Sequence, residues 1–147
     1  MRAFVVFLFL CCLGTASAQV TFAVRMVVPC GGKDASAPIT VEGTQLTFCL
    51  KEEPIVDQDD VESAEATIGA QDNPEVRLTL TAPGSQKLLA ATRENIGARI
   101  GLVLNGRLLN TPVIKAAISN DIPITGKFTR EEANRLASAF NHRTKDR

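Results

Sequence analysis

The chain opens on its longest apolar stretch. Residues 3–13 carry no charge, Arg2 precedes them, and Gly14, Thr15 and Ala16-Ser17-Ala18 follow as small residues. A membrane-spanning helix needs ~20 apolar residues, so this run predicts a cleavable signal peptide over residues 1–18, with Gln19 as the first residue of the mature chain. Cys11 and Cys12 follow bulky Phe9 and Leu10, which does not suit a lipid-anchor site. Beyond it, residues 20–28 are rich in β-branched side chains and predict a strand broken by Pro29-Cys30-Gly31-Gly32. Residues 33–43 read as an exposed loop and residues 46–50 as a second strand.

Asp57 is a candidate cap for a helix on which Val61, Ala64 and Ile68 recur at helical spacing. After the turn Gln71-Asp72-Asn73-Pro74, residues Val76, Leu78 and Leu80 alternate with Arg77 and Thr79 as in a half-buried strand. Thr81 then caps a helix that ends at Gly97 and turns Leu88, Leu89, Thr92 and Ile96 inward. Residues 100–104 and 107–111, joined by Asn105-Gly106, predict a hairpin. An extended segment over 113–118 turns through Ser119-Asn120-Asp121 into residues 122–126. Thr129-Arg130-Glu131-Glu132 is a capping box opening a last helix with Ala133, Leu136, Ala137 and Phe140 on its apolar face. Residues 141–147 read as a fraying tail.

This order predicts an α+β fold: an antiparallel or mixed sheet with helices packed mainly on one face, in a single domain over residues 19–140. Loss of residues 1–18 removes only Arg2 from the charge balance, leaving 15 basic against 16 acidic residues, and Trp and Tyr are absent. Neither a basic stripe nor base-stacking rings are available, so nucleic acid is not an expected partner. Cys30 and Cys49 remain as an even pair in an exported chain and are expected to form a disulfide.

Chemistry-bearing motifs are sparse. Asp59, Asp60 and Glu62 would suggest a calcium loop, but that pattern needs glycine where Glu62 stands. The only histidine, His142, falls in the tail, there is no C-x-x-C or G-x-S-x-G, and Ser85-Gln86-Lys87 lacks the S-x-x-K spacing. Gly126-Lys127 lacks the rest of a phosphate loop. No catalytic residue, metal site or cofactor is expected.

Several segments, in order, carry a resemblance: Leu78-Thr79-Leu80-Thr81-Ala82-Pro83-Gly84, Ala91-Thr92-Arg93-Glu94-Asn95-Ile96-Gly97 and Leu102-Val103-Leu104-Asn105-Gly106. Pro112-Val113-Ile114, Ile124-Thr125-Gly126 and Phe128-Thr129-Arg130-Glu131-Glu132-Ala133 follow, with Lys51-Glu52-Glu53-Pro54 and Asp59-Asp60-Val61 upstream. Over residues 51–140 the chain resembles the head subdomain of the first periplasmic domain of SecD and SecDF, accessory subunits of the preprotein translocase. That resemblance implies a domain outside the membrane, periplasmic or secreted, that handles emerging polypeptide. Residues 19–147 hold no apolar run that could cross a membrane, no recognisable base subdomain and no intramembrane acid, so proton-driven translocation does not carry over. The expectation is a non-catalytic module binding extended polypeptide or an envelope partner. Arg93, Glu94 and Asn95 are its candidate binding residues, though a solvated helix end explains the same polarity. A small envelope enzyme or inhibitor without a recognisable motif, and a structural domain left from a larger translocase subunit, stay open as alternatives.

Overall fold

A computed structural model describes residues 19–146; the signal-peptide reading of residues 1–18 and the last residue of the tail lie outside the described residues. The strands are β1 (Phe22–Val28), β2 (Ile39–Thr40), β3 (Thr47–Leu50), β4 (Val56–Asp57), β5 (Val61–Ile68), β6 (Pro74–Leu80), β7 (Ile100–Leu104), β8 (Arg107–Asn110) and β9 (Asp121–Thr125). Two helices, α1 (Ala82–Glu94) and α2 (Arg130–Lys145), complete the α+β fold. The named strands pair antiparallel and divide into two sheets. One has the order β2-β3-β1-β7-β8, with β4 beside β3 on the same edge of β1; the other has the order β5-β6-β9.

Leu104 pairs with Arg107 around Asn105 and Gly106, both at positive φ (49° and 78°), the backbone a tight hairpin turn requires. The first sheet nearly closes on itself: Val41 bridges Leu108, and the Glu42 N–H donates to the Leu108 carbonyl at 2.8 Å. Part of the expected exposed loop over residues 33–43 therefore lies inside, where Val41 packs with Leu50 and Leu108. Cys30 and Cys49 form the expected disulfide, tying the end of β1 to β3.

The helix expected from Asp57 to Ile68 is replaced by one 3₁₀ turn followed by β5. Asp57 does cap that turn: its carboxylate accepts the Asp59 N–H at 2.8 Å, and the Asp60 carboxylate accepts the Asp57 N–H at 3.1 Å. The misleading periodicity has a geometric cause. A bulge between Val61 and Ser63 shifts the β5–β6 register, so residues three apart both point into the core, with Val61 1% and Ala64 8% exposed. Ile68, the third member of the supposed stripe, is 48% exposed.

α1 starts at Thr81, whose hydroxyl accepts the Gly84 N–H at 3.2 Å. Its first turn lies flush on the 3₁₀ turn: the Thr81 N–H donates to the Asp60 carbonyl at 2.8 Å, and a Cβ at Gly84 would stand 2.7 Å from the Asp60 Cβ. Leu88 and Thr92 are buried as expected, whereas Ile96 lies beyond the helix and is 55% exposed. Residues 113–118 form no strand; they are a loop held by an Arg99–Val113 bridge, the buried Ile114, and an Ile118 N–H donated to the Thr92 hydroxyl at 2.9 Å.

α2 packs along β5 and β6. Its helical structure continues to Lys145, so the fraying expected from Asn141 does not occur there. Instead the Asn141 carboxamide accepts the Ala64 N–H and donates to the Ala64 carbonyl, both at 2.9 Å, as a neighbouring strand would. The opposite end carries the expected capping box: Thr129 accepts the Glu132 N–H at 3.2 Å, and Glu132 accepts the Thr129 N–H at 2.7 Å.

That hydrogen bond holds the Glu132 carboxyl below its ordinary value of 4.5, with Arg135 and Arg107 acting in the same direction. A depressed folded-state pKa adds stability that is complete above the unfolded value and is lost as pH falls through the folded one. Glu132→Gln is expected to melt below the parent at neutral pH, with the difference closing as acidification carries the pH below the ordinary carboxylate range. Thr129→Ala, which removes the cap itself, is expected to cost about 1 kcal/mol. Thermal melts across pH check both.

Candidate binding groove

The three residues singled out in the sequence sit where α1 ends. Arg93 and Glu94 are exposed in its last turn. Asn95 is the C-cap, and its side-chain amide donates to the Ala91 carbonyl at 2.7 Å, so that group is occupied in closing the helix. Exposed Ile96 and Val113 lie close by, joined through the Gly97 N–H to Ile114 carbonyl hydrogen bond.

A concavity does open between the two sheets. It encloses about 290 Å³, with Leu88, Ile100 and Leu102 among its lining residues and Ile118, Ile122 and Pro123 alongside. Its polar members are Asn110, Asp121 and Thr125. Asn110 donates its Nδ2 hydrogen to the Thr125 hydroxyl at 3.1 Å, which joins the end of β8 to the end of β9. The other half of that amide, Oδ1, is buried with no hydrogen-bond partner among the described residues. A buried acceptor without a donor is costly, and this one borders an apolar groove wide enough for a large side chain.

Among the described residues, one wall of the groove is an unfilled sheet edge, which follows from the hydrogen-bond alternation. Because the Ala64 backbone is taken by Asn141, Glu65 and Thr67 are the β5 residues that bond to Arg77 and Glu75 of β6. Val76, Leu78 and Leu80 then face β9, in agreement with the Leu80 N–H donated to the Asn120 carbonyl at 3.0 Å. On β9, Ile122 and Ile124 bond back to β6, which leaves Asp121, Pro123 and Thr125 pointing their backbone groups outward. Pro123 has no N–H, so this edge offers three carbonyls and two donors.

A second depression, of about 520 Å³, lies between the hairpin and the start of α2, with Leu104, Leu109, Phe128 and Leu136 in it. Glu42, Arg107, Lys127 and Glu132 surround it with both signs of charge, two of them engaged in the Arg107–Glu42 ion pair at 3.2 Å. Among the described residues no helix is long and apolar enough to cross a membrane.

The residues lining the groove between the sheets are scattered from 24 to 125 and share no motif. Two signals for them were nevertheless present in the sequence. Asn110 is a polar residue at the end of an apolar hairpin strand, and Pro123 inside a strand marks an edge.

Comparison with known proteins gives a consistent result. Residues 35–142 match the family described as SecDF, P1 head subdomain. The protein translocase subunit SecD of Elusimicrobium minutum is 37% identical over 60% of this chain and 19% of its own length. SecDF of Thermus thermophilus is 38% identical over 57% of this chain and 12% of its own length. The chain thus spans less than a fifth of the length of these relatives. Among solved structures, SecDF described as a membrane component that enhances protein export superposes with a TM-score of 0.65 at 26% identity, covering 83% of this chain and 62% of that one. SecDF in its super-membrane-facing form gives a TM-score of 0.66 at 27% identity, over 83% of this chain and 18% of that one.

Proposed function

This chain belongs to the SecDF P1 head subdomain family, and from that membership we propose that it is an exported, non-catalytic module that holds a short extended stretch of polypeptide in the groove beside β9. The observation that carries the reading is the meeting of three features in one place: an apolar recess, the outward backbone edge of β9, and the unpartnered Asn110 Oδ1. An extended chain supplies what each lacks. Its backbone pairs with the edge, one apolar side chain fills the recess, and an N–H reaches the orphan acceptor. Backbone pairing reads shape rather than sequence, which suits a partner of varied composition. The family's solved member that enhances protein export is compatible with such a role.

The test uses a fluorescein-labelled peptide of alternating leucine and serine, followed by anisotropy. Residues 19–147 are expected to bind it saturably. Asn110→Leu fills the recess and removes the acceptor, and Thr125→Pro deletes an outward N–H that no strand among the described residues uses. Each is expected to weaken binding at least tenfold, about 1.4 kcal/mol, while the far-ultraviolet circular dichroism stays that of the parent. Absence of saturable binding by the parent, or equal binding by both variants, would sink the groove as the site.

A further inference from the structure

The amino end of the fold carries a modification site. We propose that Gln19, once freed by removal of residues 1–18, closes into pyroglutamate; this rests on the export reading given above. The chemistry is internal to one residue. The α-amino nitrogen bonds to the side-chain carbonyl carbon, the bond from that carbon to Nε2 breaks, and Nε2 leaves as ammonia with the proton the amine gives up. Atoms and charge balance without a cofactor or a second substrate.

Among the described residues, Gln19 is the first, it is exposed, and the two that follow are anchored. Val20 is already in the core at 5% exposure. Thr21 is clamped from both sides by the hairpin turn: its N–H donates to the Asn105 Oδ1 at 3.0 Å, and its carbonyl accepts the Asn105 N–H at 2.9 Å. Gln19 is exposed, so its amine and carboxamide are free to meet.

The surroundings favour the product over the reactant. Gln19 borders a shallow recess with Val20, Asn105, Arg135, Leu136 and Ala139. An open amino terminus would bring an ammonium to the same recess as the Arg135 guanidinium, a like-charge approach that carries a cost. The lactam is neutral and compact, and it can lie against the apolar side chains of Val20, Leu136 and Ala139. It also deprives aminopeptidases of the free amine they require, at a residue that the fold leaves exposed.

The experiment is mass analysis of the amino-terminal peptide from full-length protein expressed with residues 1–18, recovered from the envelope or medium and acid-quenched at harvest. Gln19→Ala, which keeps an exposed first residue but cannot cyclise, is processed in parallel. The expected result is a peptide beginning at residue 19, lighter than open glutamine by one ammonia and inert to amine-labelling reagent, with the alanine variant fully labelled. An open, label-reactive Gln19 overturns the proposal and leaves export standing. A terminus cleaved at another residue overturns the proposal and leaves export standing, and an uncleaved chain beginning at residue 1 overturns both.

Discussion

Phe140→Ala is expected to remove about 4 kcal/mol of stability, a large part of the 5–15 kcal/mol typical of a domain. The ring is 1% exposed and meets Phe22 edge to face, with centroids 6.1 Å apart and planes at 82°. Phe22 belongs to β1 in the first sheet, whereas Phe140 rides on the helix that covers the second. Truncating it opens a cavity at the contact joining the two halves and forfeits the aromatic pair as well. Urea unfolding of residues 19–147, followed by circular dichroism, gives the difference directly. A loss under about 1 kcal/mol would mean that the sheets close over the space without this ring. A parent transition that splits in two in the variant would show that Phe140 also couples the sheets cooperatively.

Removing the disulfide should act on a different part of the molecule. Cys30→Ala with Cys49→Ala frees a loop of residues 31–48, and the chain-entropy account sets the loss at about 3 kcal/mol. Cys49 is buried where its backbone faces Val28, and the loop it closes supplies Val41 to the small cluster with Leu50 and Leu108. Amide exchange is therefore expected to accelerate most in β2, β3 and residues 41–46, and least in β5, β6 and β9. Reductant should shift the parent to the stability of the double variant and leave that variant unchanged. Uniform acceleration over both sheets would show that the crosslink supports the whole fold rather than one flap.

Local signals in the sequence were reliable where the cause was local. Asn105-Gly106 specifies its turn through two positive φ angles, and Thr129 with Glu132 specifies a helix start through reciprocal hydrogen bonds. Asp57 and Asp60 also make a genuine capping box, but the chain turns extended after one turn because pairing with β6 outweighs the helical spacing. The bulge that restores Val61 and Ala64 to one face exists only in relation to that partner strand, so periodicity cannot reveal it. Ile96 was misplaced for a related reason: α1 stops at Asn95, whose own side chain satisfies the Ala91 carbonyl. The groove is less legible still. Leu88, Leu102, Asn110 and Ile122 come from four elements, and the edge beside them consists of backbone, which every sequence has.

The Asn141 carboxamide has a consequence for solubility. It occupies only Ala64 of the outer row of β5, and the alternation leaves the backbone groups of Ala66 and Ile68 facing outward, next to an Ile68 side chain that is 48% exposed. Such a row is a template for another copy of the same strand. Glu62 and Glu65 stand exposed along it, and two copies aligned there would bring carboxylates together. This repulsion between exposed charges is screened by salt, so high ionic strength is where the protein is expected first to associate.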